Sequence, residues 1–229
     1  MPRDIATRDY RTLGVVLRRT NFGEADRILN IITPDGKISA IARGARKEKS
    51  RLAGGIEMFS LVDLNIHQGK GDLGVVTGAK MVKYYKNILK DFDRMELAAT
   101  CLKRINAAAE YTDNPDFFTI IQQMLEGLDS GVGLELAEAW FWLSLARARG
   151  EEMNLYRDAN GQKLDVEMRY DWSGSDGAFA GRDGGEYGAN EIKLMRLMSS
   201  ATLDVVRRVR VDSDLVGRIL GLARIAGKV

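Results

Sequence analysis

One cysteine, Cys101, and one histidine, His67, are all that the 229 residues offer of the softest metal ligand and the commonest acid–base side chain. A lone cysteine excludes an intrachain disulfide and a cysteine-built metal cage. A lone histidine leaves little for a His-rich metal or acid–base centre. No run of about 18 apolar residues occurs, so no segment is expected to span a membrane. The opening MPRDIATRDY lacks the apolar core of a signal peptide, which gives the cytoplasm as the expected location. Net charge is also scarce, at +2, but unevenly spread. Residues 1–80 carry fourteen Lys and Arg against nine Asp and Glu, and the rest of the chain is slightly acidic. That asymmetry suggests a surface for a polyanion on the first third.

What is present divides by periodicity. Up to about residue 80 the chain alternates in short runs: Leu13–Leu17, Arg27–Thr33, Lys37–Ala42, Phe59–His67 and Leu73–Thr77. Pro34-Asp35-Gly36 supplies a tight turn between the second and third, and Gly69–Gly71 one between the last two. Five short strands in about eighty residues suit a small closed barrel such as an OB-fold, closure removing the two sticky edges of an open sheet. From residue 81 the period becomes helical. Asp93 with Glu96 reads as a capping box opening a helix to Tyr111, and Asn114-Pro115 starts another to Leu128. Leu134–Arg149 is the most apolar helix, closed by Gly150, with Trp140, Phe141 and Trp142 marking it as central to a bundle. Residues 154–188 lose the helical period: Asn160-Gly161 reads as a hairpin turn, and Gly174–Gly188 as loop. Helices resume over Asn190–Val209 and Ser213–Ala226. The fold class is therefore α+β, with an OB-type barrel in 1–80 and a helical domain in 81–229 that carries a small non-helical lobe at 154–188.

The densest charge lies between the third and fourth strands. Arg43, Arg46, Lys47, Lys49 and Arg51 place five cations and one anion within nine residues. Phosphate contacts need such side chains on a solvent-facing loop, and Lys70 in the GKG turn could line the same groove. A solvated basic loop that keeps the barrel soluble is the other reading. Aromatics for base stacking are few in the barrel: Tyr10, Phe22 and Phe59. Glu24 and Asp26 fall on one face of a strand, as a two-metal nuclease would use, but no third carboxylate or histidine is evident near them. Structural turn chemistry accounts for them better. His67 is expected on the solvated face of its strand, and Cys101 as a small buried helix residue. Trp140 and Trp142 read as core. Alternatively they form one wall of an apolar groove which, with Arg147 and Arg149, would take an acidic partner tail. Arg207, Arg208, Arg210, Arg218, Arg224 and Lys228 make the last helices basic, either extending a nucleic-acid track or balancing acidic neighbours.

Several ordered pieces resemble the N-terminal domain of the RecO family. They are Gly23–Arg27 (GEADR), Thr33–Lys37 (TPDGK), Ala42–Arg51 (ARGARKEKSR), Phe59 and Gly69–Leu73 (GKGDL), with a looser likeness at Trp140–Gly150 followed by Asn154-Leu155. The resemblance implies an N-terminal OB-fold, a C-terminal helical domain and no chemistry of its own. It implies a recombination mediator that binds single-stranded and gapped DNA, anneals complementary strands and loads recombinase. The partners it implies are the RecR ring protein and the acidic C-terminal tail of single-stranded-DNA-binding protein, in a cytoplasmic, nucleoid-associated setting. It favours nucleic acid as the ligand of the basic loop. Many members hold zinc on four cysteines in the lobe; this chain has none between 151 and 229, so no zinc and no other cofactor is expected. An OB-fold RNA-binding or transcription-associated protein, and less so a metal-dependent nuclease, are the alternatives.

Overall fold

The computed structural model describes residues 8–228 (for Lys228, the backbone), so most of the stretch read above for a leader lies outside the described residues. Five strands, β1 (Arg8–Phe22), β2 (Asp26–Thr33), β3 (Gly36–Ala42), β4 (Ser60–Gln68) and β5 (Leu73–Tyr84), close into a barrel of order β1-β2-β3-β5-β4. β3 and β5 run parallel and every other pair antiparallel. The α+β class and the N-terminal OB-type barrel are as expected. Alternate residues fill the interior: Leu29 and Ile31, Ala40 and Ala42, Val62, Leu64 and Ile66, with Val16 and Val76. The β2–β3 turn is held by the Thr33 hydroxyl, which donates to the Gly36 carbonyl (2.8 Å) and accepts from the Asp35 N–H (3.2 Å).

Two strands run past their expected bounds. β1 pairs with β4 through its first half (Arg8↔Gln68 to Val15↔Leu61) and with β2 through its second (Val15↔Ile32 to Phe22↔Asp26). Ladder hydrogen bonds, rather than hydrophobic alternation, make the polar residues 18–21 a strand. β5 continues to Tyr84 rather than Thr77, so a border at residue 80 falls within a strand.

The chain parts into two compact units between Asp129 and Ser130. Two helices, α1 (Phe92–Ala108) and α2 (Asp116–Asp129), therefore group with the barrel. The cap of α1 is Asp91, whose carboxylate accepts the Arg94 N–H (3.1 Å), two residues before the expected Asp93. Asn114 caps α2 as expected, accepting from the Asp116 N–H (2.9 Å). Within this unit Asn106 of α1 accepts from Asn30 (3.1 Å) and its carbonyl from Lys37 (3.0 Å), covering the outward side of β2 and β3 at their hairpin end. Cys101 is fully buried in α1.

The second unit holds α3 (Leu134–Arg149), α4 (Ala189–Ser200), α5 (Leu203–Val206) and α6 (Ser213–Lys228). α3 has the expected bounds, with Gly150 left-handed at its end (φ 77°). The single helix expected over 190–209 is broken at Ala201, because the Thr202 hydroxyl caps a new turn. Between α3 and α4, β6 (Tyr170–Ser173) and β7 (Ala178–Gly181) form a two-stranded sheet, whose second strand lies within the stretch Gly174–Gly188 expected as loop. Tyr170, Trp172 and Tyr187 pack edge-on around buried Phe179 with ring centroids 5.3–6.2 Å apart. This lobe does not fit zinc: residues 151–229 contain no cysteine and no histidine, and an aromatic cluster stands at its centre. Among the described residues no helix is long and apolar enough to cross a membrane.

Candidate nucleic-acid interface

Where β3 ends, the chain closes one end of the barrel. Ala45 (2% exposed) and Ile56 (0%) belong to the barrel core, and Leu52 and Met58 pack against it. Burying one such Ile side chain stabilises by roughly 1.5–3 kcal/mol, so the segment 43–59 is anchored rather than adrift. Hydrogen bonds fix its first half to the β1–β2 turn. The Gly44 N–H donates to Asp26 Oδ1 (2.7 Å), the Arg46 N–H to the Ala25 carbonyl (2.8 Å) and the Arg46 guanidinium to the Gly23 carbonyl (3.3 Å). Gly44 sits at φ 64°, a left-handed turn that suits glycine. Further bonds, Lys47 N–H to Gly44 carbonyl and Ser50 N–H to Lys47 carbonyl (both 3.0 Å), fold the segment on itself.

On this shelf Arg43, Arg46, Lys47, Lys49 and Arg51 are all exposed, and among the described residues none of them is in an ion pair. Holding five uncompensated cations together is mildly unfavourable in isolation and creates a strong local positive potential. A polyanion relieves it, and a backbone already fixed lowers the ordering cost of binding. The Ser50 hydroxyl oxygen accepts from the Leu52 N–H (3.3 Å).

Lys70 lies elsewhere. The register Ser39↔Leu73 to Ile41↔Val75 sets the β4–β5 turn beside the start of β3, whereas the shelf follows its end. Ala42 and Ser39 alone differ by about 10 Å of strand, so Lys70 does not join the cluster. Four other barrel cations are occupied, whereas Arg8, Arg27, Lys70 and Lys80 are, like the shelf, in no ion pair among the described residues. Arg11 forks onto Asp63, Arg19 pairs with Glu57 (2.8 Å), Lys37 with Glu110 and Lys83 with Glu126. The hydrogen bond from Arg11 holds the Asp63 carboxyl below the usual carboxylate range. Arg18, which the charge reading passed over, is exposed and in no ion pair among the described residues. Its signal was the spacing Arg18, Thr20, Phe22, visible only once β1 is known to extend that far.

Asp26 is engaged by the Gly44 N–H, which is the turn role expected for it. Among the described residues no three His, Cys, Asp or Glu side chains gather to hold a metal ion, so Glu24 and Asp26 lack the company a two-metal nuclease needs. Phe59 is core (8% exposed), Tyr10 is half-buried beneath Arg8, and Phe22 is 52% exposed. His67 lies on the outward face of β4 as expected, its side chain 45% exposed and its Nδ1 2.7 Å from Asp9.

In the helical unit the groove reading loses its apolar wall. Trp140 and Trp142 are 2% and 3% exposed, and each indole N–H is satisfied inside, Trp140 by the Ala201 carbonyl (2.9 Å) and Trp142 by Glu138 (3.0 Å). Both are core because α3 is apolar on every side and other helices of this unit cover it. Arg147, exposed, donates to the Ser199 carbonyl (2.8 Å), and Arg149 pairs with Glu151 (2.7 Å). Four of the C-terminal arginines are paired, Arg207 and Arg208 with Asp204, Arg218 with Glu191 (2.7 Å) and Arg224 with Glu138 (2.7 Å), while Arg210 is exposed and in no ion pair among the described residues.

Comparison with known proteins agrees over nearly the whole chain. Residues 7–85 match the family model described as Recombination protein O N terminal, and residues 90–224 the one described as Recombination protein O C terminal. A DNA repair protein RecO of Dehalococcoides mccartyi (strain ATCC BAA-2266) is 28% identical over 220 residues, covering 92% of this chain and 86% of the relative. Its counterpart from Rubrobacter xylanophilus is 36% identical over 143 residues, 62% of this chain and 57% of the relative. The one from Bifidobacterium longum (strain DJO10A) is 38% identical over 123 residues, covering 52% and 51%.

Proposed function

Because this chain belongs to the RecO family of DNA repair and recombination proteins, we propose that it is a non-catalytic mediator that binds single-stranded and gapped DNA. It anneals complementary strands and helps load recombinase onto gaps coated by single-stranded-DNA-binding protein, working with RecR. The observation that carries this reading is the shelf: five exposed cations, unpaired among the described residues, on a backbone fixed to the barrel end. Such a surface grips a phosphate chain of any sequence, which is what a protein acting at arbitrary gaps requires.

The acidic tail of the single-strand-binding protein would meet the helical unit beside Arg147 rather than on the buried tryptophans. A cleft of about 380 Å³ opens there, lined by Arg147, Met153, Leu155, Tyr156 and Arg196. It sets apolar contact and two guanidinium groups, which also bond the Ser199 and Leu155 carbonyls, beside the carboxylate of Glu152, and the cationic side would meet a segment ending in a carboxylate.

The test is annealing of strands coated with the cognate single-strand-binding protein. Wild type should accelerate it, and the triple reversal Arg46→Glu, Lys47→Glu, Lys49→Glu should abolish both acceleration and oligonucleotide binding while melting normally. A folded triple variant with unchanged affinity would remove the proposed surface. Equal-length DNA and RNA oligonucleotides in competition test the RNA-binding alternative, which requires RNA to win.

A further inference from the structure

Phe22 and Arg18 lie outside the shelf but share its surroundings. Leu29 and Ile31 of β2 point into the barrel, so Asp26, Ile28 and Asn30 face outward. Their partners across the ladder are Phe22, Thr20 and Arg18, brought onto that outward side by the irregularity between Val16 and Arg18. Arg18, Thr20 and Phe22 are all exposed. Asp26 uses this side to reach the Gly44 N–H (2.7 Å), so the Phe22 ring emerges beside the shelf. Arg46, bonded to the carbonyl of Gly23, stands next to it in the chain path. A phenylalanine 52% exposed contributes little to the barrel. A single exposed apolar residue is ordinary; one bracketed by unpaired cations on both sides is the arrangement that single-strand binders use, phosphates on the cations and bases on the ring. The nearby carboxylates are Asp26, already engaged, Glu24, exposed in the turn, and Glu48, exposed on the shelf itself.

We propose that Phe22 is a stacking platform for the unpaired bases of the strand held by the shelf, and that Arg18 is the next phosphate contact along the outward side of β1. This rests on the single-strand-binding reading above and adds a base contact to an otherwise electrostatic site. Stacking requires a base with a free face, so it separates single strands from duplex without reading sequence.

The full-length protein is titrated with a labelled oligothymidylate and with an abasic deoxyribose-phosphate strand of the same length. Wild type should bind the base-bearing strand more tightly. Phe22→Ala should lose about tenfold on that strand and nothing on the abasic one, one stacked base being worth about 1–3 kcal/mol. Arg18→Ala should weaken both and shallow the salt dependence by about 0.7. Phe22→Trp should keep the affinity, and its added indole should be quenched on saturation relative to wild type. The proposal is overturned if Phe22→Ala binds oligothymidylate like wild type, if it loses both strands equally, or if the new indole is unquenched. A Phe22→Ala variant that only weakens capture of a protein partner overturns it too. Failure of wild type to bind either strand would instead bring down the reading beneath it.

Discussion

The barrel shelf and the C-terminal stretch 203–228 are both basic, five cations against one anion in nine residues for the first and six against three for the second. Their arginines differ in what they touch. On the shelf, Arg43, Arg46, Lys47, Lys49 and Arg51 are exposed and, among the described residues, in no ion pair, while their backbone is pinned by Asp26 and the β1–β2 turn. In the helical unit, Arg207 and Arg208 share Asp204, Arg218 reaches Glu191 and Arg224 forks onto Glu138. The first set is charge held in readiness for an outside partner; the second is spent within the unit. Positive charge marks a nucleic-acid surface only where no carboxylate has already claimed it.

Changes to buried groups of the helical unit should therefore cost stability and spare DNA binding. The largest effect is expected for Trp142→Ala, which empties a buried indole site and costs about 3–5 kcal/mol in unfolding free energy. If that variant stayed fully stable while losing an acidic partner peptide, the tryptophans would be a binding wall after all. Next comes Glu191→Gln. Glu191 is 5% exposed and bonds Arg218 (2.7 Å) and the Gly188 N–H (3.0 Å), so removing its charge should cost about 2 kcal/mol. Burial alone would raise its pKa, but those bonds outweigh burial and hold it below 4.5. A carboxyl depressed on folding stabilises above its unfolded pKa and loses that contribution as pH falls through the folded value. Wild type and Glu191→Gln should therefore converge in acid melts and separate near neutrality.

On the shelf the pattern should reverse. Lys47→Ala and Lys49→Ala should each lose about fivefold in oligonucleotide affinity at about 0.1 M salt, with melting unchanged. The smallest effect, and the sharpest for the comparison, is Asp204→Asn. Releasing Arg207 and Arg208 should leave stability nearly untouched, since the cluster is exposed, and raise low-salt DNA affinity by a few-fold. No gain would mean that those arginines are silent for reasons other than pairing.

Local signals carried much of this into the sequence. Leu134–Arg149 with its closing glycine, the Thr33–Gly36 turn and the charge density of 43–51 were each readable, because caps, turns and composition depend on neighbours in the chain. What could not be read depends on distant residues. The length of β1 is set by two different ladder partners, and the outward placing of Arg18 and Phe22 by an irregularity in one of those ladders. Whether an arginine is free turns on a carboxylate up to 86 positions away, as for Arg224 and Glu138. Lys70 looked like a neighbour of the shelf because the GKG turn is basic; only the parallel pairing of β3 with β5 sets it apart. The β6–β7 sheet escaped notice because its strands are four residues each and rest on an aromatic cluster rather than on alternation.

The most direct measurement is the slope of log affinity against log salt for a single-stranded oligonucleotide. It would be taken for wild type, for the shelf variant Arg46→Ala, Lys47→Ala, Lys49→Ala, and for the helical variant Arg207→Ala, Arg208→Ala. Free cations release counterions on binding and paired ones do not, at about 0.7 per phosphate contact on single strands. The expected slopes are about −4 for wild type and about −2 for the shelf variant, with the helical variant indistinguishable from wild type. Equal slopes for wild type and shelf variant, or a larger loss in the helical one, would contradict the account.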